Sequence, residues 1–162
     1  MRDTTEHVYK VTGQTIDSLG THLSRHGYTS IDTPLLEDTE LFVRKSGGEL
    51  TSRLYTFTDP GGRRVSLRPE FTSSVIRHFV EGGDTIDIPS RWWYCGPVFR
   101  YEMGGASGFR QFTQFGAELV GATGTAADAE ILDLAMGGLR EVGVTEFKLR
   151  IGHSGVLEDL LA

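Results

Sequence analysis

Residues 96–119, "GPVFRYEMGGASGFRQFTQFGAEL", limit the fold more than any other stretch of the chain. Two runs that read with period two flank a short glycine-rich loop, the signature of an antiparallel hairpin. In the second run Arg110, Phe112, Gln114, Gly116 and Glu118 share one face, while Gln111, Thr113, Phe115, Ala117 and Leu119 share the other. The second set turns apolar, as a core-facing side should. In the first run Gly96, Val98, Arg100 and Glu102 lie on one face, and Cys95, Pro97, Phe99 and Tyr101 on the other. Opposed residues of antiparallel strands project from the same side of a sheet. Pairing therefore gathers the even-numbered residues into a single polar floor.

Such a floor has a definite chemistry. An arginine fork matches a phosphate or a carboxylate through paired N–H donors. A phenylalanine face stacks on a planar base, and a carboxylate with an amide holds an ammonium or an imidazole N–H. Glycine inside a strand often marks the close approach of a ligand. The same residues equally fit the solvated outer face of an edge hairpin laced with weak ion pairs. Spacing alone leaves both readings open.

The remaining pattern supplies the frame. Val8, Val11, Ile16, Leu19 and Leu23 recur at helical spacing until Gly27, so residues 4–26 read as an amphipathic helix. "YTSIDTPLLE" is extended, with Pro34 confining it to an edge or interface position. "LYTFTD" and "RRVSLRP" flank the turn "DPGG", a second hairpin. "EFTSSVIRHFVEGG" is a short helix. "TAADAEILDLAMGGLREVG" is a longer one, with Asp128 and Glu130 in its first turn and an apolar stripe of Ile131, Leu134, Leu139 and Val142. "EFKLRI" reads as a strand and "SGVLEDLLA" as the start of another helix. This order predicts one α+β domain over residues 1–162, with a mostly antiparallel sheet flanked by helices.

Composition excludes several classes. A net charge of −6 is unlike the basic footprint of a protein that coats nucleic acid. Cys95 is the single cysteine, so no internal disulfide forms, which fits a reducing cytoplasm. No apolar run reaches the roughly 18 residues of a membrane span, and a soluble cytoplasmic domain is expected.

At this point the residues resemble a known family. "GPVFRYE" with "FRQFTQFGAELVG" is similar to motif 2 of class II aminoacyl-tRNA synthetases of the histidyl type. "GYTSIDTPLLEDTELF" resembles the motif 1 region, whose proline lies at that family's dimer interface. "LYTFTDPGGRRVSLRPEFT" resembles its histidine-recognition segment. The resemblance implies that Glu70 and Thr72 hold the amino group of histidine, and that Gln114 and Glu118 complete the pocket, with Glu118 meeting the imidazole. It further implies that Arg100 bridges the histidine carboxylate and the ATP α-phosphate, as the catalytic arginine. Glu102, Arg110 and Phe112 would serve the ATP site, with Phe112 stacked on the adenine. The implied reaction is formation of histidyl-adenylate from histidine, ATP and magnesium, then transfer to tRNA by a homodimer.

The chain departs from that pattern in two places. The motif 2 loop reads Met103-Gly104-Gly105-Ala106-Ser107-Gly108, with glycine where the family's loop arginine is usual, and motif 3 is absent, as from the first part of a catalytic core. "FKLRIGHSGVLEDLL" is closer to a paralogue, the regulatory subunit of ATP phosphoribosyltransferase. That subunit senses histidine and acts on a catalytic partner subunit in histidine biosynthesis. A module used only for dimerisation is a third reading.

Other residues carry less. His22 and His26, four apart, are expected on a solvated helix face, and no metal site is expected. Cys95 reads as a small core residue, Trp92 and Trp93 point to opposite faces, and Arg68 and Arg77 are either supports of the pocket or surface charges.

Overall fold

The computed structural model describes residues 3–44, 52–101 and 110–152. Glu102, the loop at 103–108, His153 and the helix expected from Ser154 lie outside them.

Helix α1 (Glu6–Arg25) begins where Thr5 caps it, its hydroxyl accepting from the Val8 N–H. It ends before Gly27, whose φ of 82° only glycine adopts without strain. Two short strands follow, β1 (Thr29–Ser30) and β2 (Leu36–Asp38), then the one-turn helix α2 (Thr39–Val43). Strands β3 (Tyr55–Thr58) and β4 (Arg64–Leu67) form the hairpin expected around Asp59-Pro60-Gly61-Gly62. Helix α3 (Thr72–Gly82) then leads through a 3-10 turn into the long strands β5 (Ser90–Phe99) and β6 (Gln111–Val120). Helix α4 (Thr125–Glu141) follows.

The strands make two three-stranded sheets, ordered β1-β5-β6 and β2-β4-β3. All pairings are antiparallel except that of β1 with β5. The sheets meet where the Phe99 N–H donates to the Arg68 carbonyl at 3.0 Å. Register between β5 and β6 runs from Ser90↔Val120 to Phe99↔Gln111, and even residues oppose even residues throughout.

Both faces of β5–β6 are covered, each by a core of its own. On the odd face Trp93, Phe115 and Ala117 pack on Leu23, Tyr28, Ile131 and Leu134, under α1 and α4. On the even face Phe71 and Val75 pack on Tyr94 and Val98, with Trp92 and Phe112 beside them. The two tryptophans therefore do face opposite ways. The even face is not the purely polar floor expected, because α3 and Phe71 cover its middle.

Three further expectations are corrected. Residues 146–151 pair with no strand among the described residues; their alternation is real, but Leu149 and Ile151 are exposed and no described sheet edge pairs with them. His22 is buried, not solvated: its Nε2–H donates to the Leu134 carbonyl at 3.1 Å and fastens α1 to α4. Leu139, assigned to the apolar stripe of α4, is exposed.

Candidate functional site

The site grows from the junction of β4 with α3. Glu70 lies just before the helix, and both its carboxylate oxygens accept from the Ser73 N–H, at 3.0 and 3.2 Å. It thus satisfies a backbone donor that the first turn leaves without a partner. Thr72 opens α3 and turns its hydroxyl outward across the sheet, donating to Glu118 Oε1 at 2.7 Å. Tyr94 of β5 donates to the same oxygen at 3.1 Å. Burial raises the Tyr94 phenol well above its usual range, and the neighbouring carboxylates of Glu118 and Glu70 raise it further, so it stays a donor.

Four residues nearer the hairpin loop, Gln114 opposes Gly96. Its carbonyl oxygen Oε1 is buried and has no hydrogen-bond partner among the described residues. A buried acceptor without a donor is costly, and it marks a place where a ligand N–H would be welcome. Beyond it Phe112 opposes Val98, and the Arg100 guanidinium lies 5.1 Å from the Phe112 ring centroid. Arg100 is held there by its Nε–H, which donates to the Pro69 carbonyl at 2.9 Å. Among the described residues its terminal nitrogens have no hydrogen-bond partner and could serve as a fork. Arg110, exposed, continues the same edge, its guanidinium 5.3 Å from the Tyr101 ring.

The structure therefore brings Glu70, Thr72, Glu118, Gln114, Phe112 and Arg100 along one side of the sheet, with Thr72 and Glu118 at one end, Phe112 and Arg100 toward the hairpin loop, and Glu70 next to the Pro69 that anchors Arg100; Arg110 lies against Tyr101 instead. The strand rise of about 3.4 Å per residue puts Glu118 and Phe112 about 20 Å apart. One end is rich in acceptors and the other in arginine and aromatic faces.

One expectation about this floor needs correction. Neither glycine is open to a ligand. A Cβ on Gly96 would lie 2.5 Å from Arg68 Nη2, and one on Gly116 would lie 2.5 Å from the Tyr94 hydroxyl oxygen. The protein's own side chains fill both gaps. Arg68 is a buried support: it donates through Nε to the Pro97 carbonyl at 3.0 Å and through Nη1 to the Thr33 carbonyl at 2.5 Å. Arg77 ties α3 to β2 through Glu37 at 2.8 Å. Cys95 is half-buried and its thiol is pushed up by burial, which leaves it a packing residue. Tyr94 escaped the sequence reading, although the same even-numbered alternation, carried one step further back along β5, points to it.

Among the described residues no group of three or more His, Cys, Asp or Glu converges on a point that could hold a metal ion, and no helix is long and apolar enough to cross a membrane.

A histidine–tRNA ligase of Methanospirillum hungatei JF-1 is 45% identical over 137 residues, covering 85% of this chain and 33% of that protein. The chain spans about a third of the length of the curated relatives it matches. A solved structure from Bacillus halodurans C, described as an ATP phosphoribosyltransferase regulatory subunit/histidyl-tRNA synthetase, superposes with a TM-score of 0.88 at 32% identity, over 99% of this chain and 41% of that one. Apo histidyl-tRNA synthetase of S. aureus superposes with a TM-score of 0.73 at 33% identity, over 90% of this chain and 34% of that one. The family model described as histidyl-tRNA synthetase matches residues 1–162, and the chain belongs to that family, with its α+β class II synthetase fold.

Proposed function

We propose that this chain supplies the histidine- and ATP-binding part of a histidine–tRNA ligase. The observation that carries the reading is the pairing of the held Glu118 carboxylate with the unpartnered Gln114 carbonyl oxygen, on the strand that also bears Phe112. Both are acceptors. Together they fit a ligand that offers N–H donors at two points, as the imidazole and ammonium of histidine do.

The other end fits a nucleotide. Phe112 would offer a face to a base, and Arg100, beside it and held through Nε, would use its terminal nitrogens to bridge the carboxylate and the α-phosphate. In adenylate formation a carboxylate oxygen attacks the α-phosphorus and pyrophosphate leaves. A fixed arginine lowers that barrier by holding both anions together and by meeting the charge that builds on the phosphoryl oxygens. Magnesium would be held mainly by the phosphates of ATP, where it neutralises charge on the leaving group. The span of about 20 Å, from the strand rise, accommodates an amino acid and a nucleotide end to end. Transfer to tRNA belongs to the complete protein in this reading, as does a homodimer built on the Pro34 segment.

The second reading, a histidine sensor acting on an ATP phosphoribosyltransferase catalytic subunit, draws support from the description of the Bacillus halodurans structure. Calorimetric titration of the intact protein with L-histidine, alone and with ATP and magnesium, separates the two. The ligase reading expects histidine to bind more tightly with ATP present, and Glu118→Ala to weaken histidine about 100-fold through loss of a charged hydrogen bond. Histidine binding indifferent to ATP supports the sensor instead, and no histidine binding overturns both.

A further inference from the structure

The mutual arrangement of Tyr94, Gly116 and Glu118 assigns a role beyond the pocket residues named so far. Tyr94 stands directly opposite Gly116, yet its hydroxyl reaches past that partner to Glu118, two residues along β6. It can do so because Gly116 has no side chain: a Cβ there would lie 2.6 Å from two of the ring carbons. The phenol therefore lies across the bare backbone of β6. Phe71 fixes it from above, stacked with a centroid distance of 4.4 Å and an interplanar angle of 9°. The Arg68 guanidinium lies 3.8 Å from the Phe71 centroid and is anchored to backbone carbonyls of Pro97 and Thr33. A buried cation and two rings thus hold one hydroxyl in place.

That hydroxyl and the Thr72 hydroxyl both donate to Oε1 of Glu118. Among the described residues no donor reaches Oε2. A carboxylate able to rotate would present either oxygen, or both, to a ligand. One whose Oε1 is held by two O–H donors presents only the other.

We propose that Tyr94 is a positioning residue: with Thr72 it commits Oε1 of Glu118, so that Oε2 is offered as a single aimed acceptor for a side-chain ring N–H of the bound amino acid. Tyr94 thereby sets the preference for a ring that carries N–H over a ring of the same size that does not. The inference rests on the histidine-binding reading above. A site built around a fixed acceptor rejects an analogue lacking the donor, because the acceptor is left buried and unpaired. A carboxylate free to turn toward water rejects it less.

The test compares L-histidine with β-(2-thienyl)-L-alanine, a similar ring without N–H, by calorimetry on the intact protein and on Tyr94→Phe. The phenylalanine keeps the stack on Phe71 and removes only the hydroxyl. The expected result is that histidine weakens about tenfold while the thienyl analogue changes less than about twofold, so the preference falls about tenfold. Thr72→Val, which deletes the other donor without touching the stack, should lower the same preference. Equal weakening of both ligands in Tyr94→Phe would assign the residue to packing alone and overturn the proposal. An unchanged preference in either variant overturns it too. Wild-type protein that binds no histidine overturns the function reading itself, and this inference falls with it.

Discussion

At the scale of single residues, glycine at two positions does opposite work. Gly96 sits in β5 where Arg68 Nη2 and Phe71 Cζ would lie 2.5 and 3.0 Å from an added Cβ. Both neighbours are buried and anchored, so neither can yield cheaply. Gly13, inside α1, has nothing within 4 Å of the same added atom. Gly96→Ala should therefore destabilise the protein by about 1–3 kcal/mol through overpacking. Gly13→Ala should stabilise it by about 0.5–1 kcal/mol through helix propensity. Urea unfolding of the two variants measures both, and movement of both midpoints in one direction would refute the contrast. The sequence showed that Gly96 and Gly116 lack a side chain, but not what fills the space. Arg68 and Phe71 are distant in the chain from Gly96, and no local pattern connects them. His22 is a similar case. Its place on an apparent polar face concealed a buried ring that meets α4, with Gly137 leaving it room.

Among the elements, the joint between β5, the start of β1 and α4 turns on one carboxylate. Glu130 accepts from Arg91 Nε at 2.7 Å, from Arg91 Nη2 at 2.9 Å and from the Tyr28 hydroxyl at 2.9 Å. Hydrogen bonding from Arg91, reinforced by Tyr28 and by the guanidinium charge, holds the Glu130 carboxyl down at about 2, below its ordinary 4.5. A depressed folded-state value contributes stability that is complete above the unfolded value and lost as pH falls through the folded one. The window here runs from about 4.5 down to about 2. Glu130→Gln should lower stability at neutral pH and reduce the further loss across that window, as read from urea midpoints at a series of pH values. Equal slopes for both proteins would show that Glu130 does not titrate with folding. Tyr28, raised to about 12 mainly by burial and by its bond to Glu130, runs the other way: its contribution is complete below about 10 and is lost as pH rises through 12. Helices α1, α3 and α4 and both hairpins were legible, because periodicity and turn residues act locally. Residues 146–151 were misread for the complementary reason. Alternation describes a strand's two faces but not whether a partner edge exists, and among the described residues none does.

At the scale of the whole molecule, the sheet β2-β4-β3 has one covered face and one that is exposed in part. Ser66 is buried on the inner side, and Glu37 beside it is tied to Arg77 of α3. Pairing of Leu36 with Leu67, Tyr55 with Leu67 and Phe57 with Val65 puts all five on the other side, where Val65 is buried and Tyr55 meets Tyr101 edge-on at 5.9 Å. Leu36 and Phe57 are 47% and 46% exposed there, and Leu35, next to the exposed Pro34, is 44% exposed. Single exposed apolar residues are ordinary, but a cluster on one sheet face marks an interaction surface. The homodimer we propose would bury this face against its copy, since a self-complementary patch is what two-fold association requires. Sedimentation of the intact protein at micromolar concentration should therefore give a dimer. Leu36→Asp should shift it toward monomer, because a carboxylate would then enter an apolar contact without a partner. The substitution lies on an exposed side chain outside both cores, so the monomer's circular dichroism should match that of the wild type. A wild-type monomer, or a Leu36→Asp dimer as tight as the parent, would remove this face from the interface and leave the histidine site to be judged on its own.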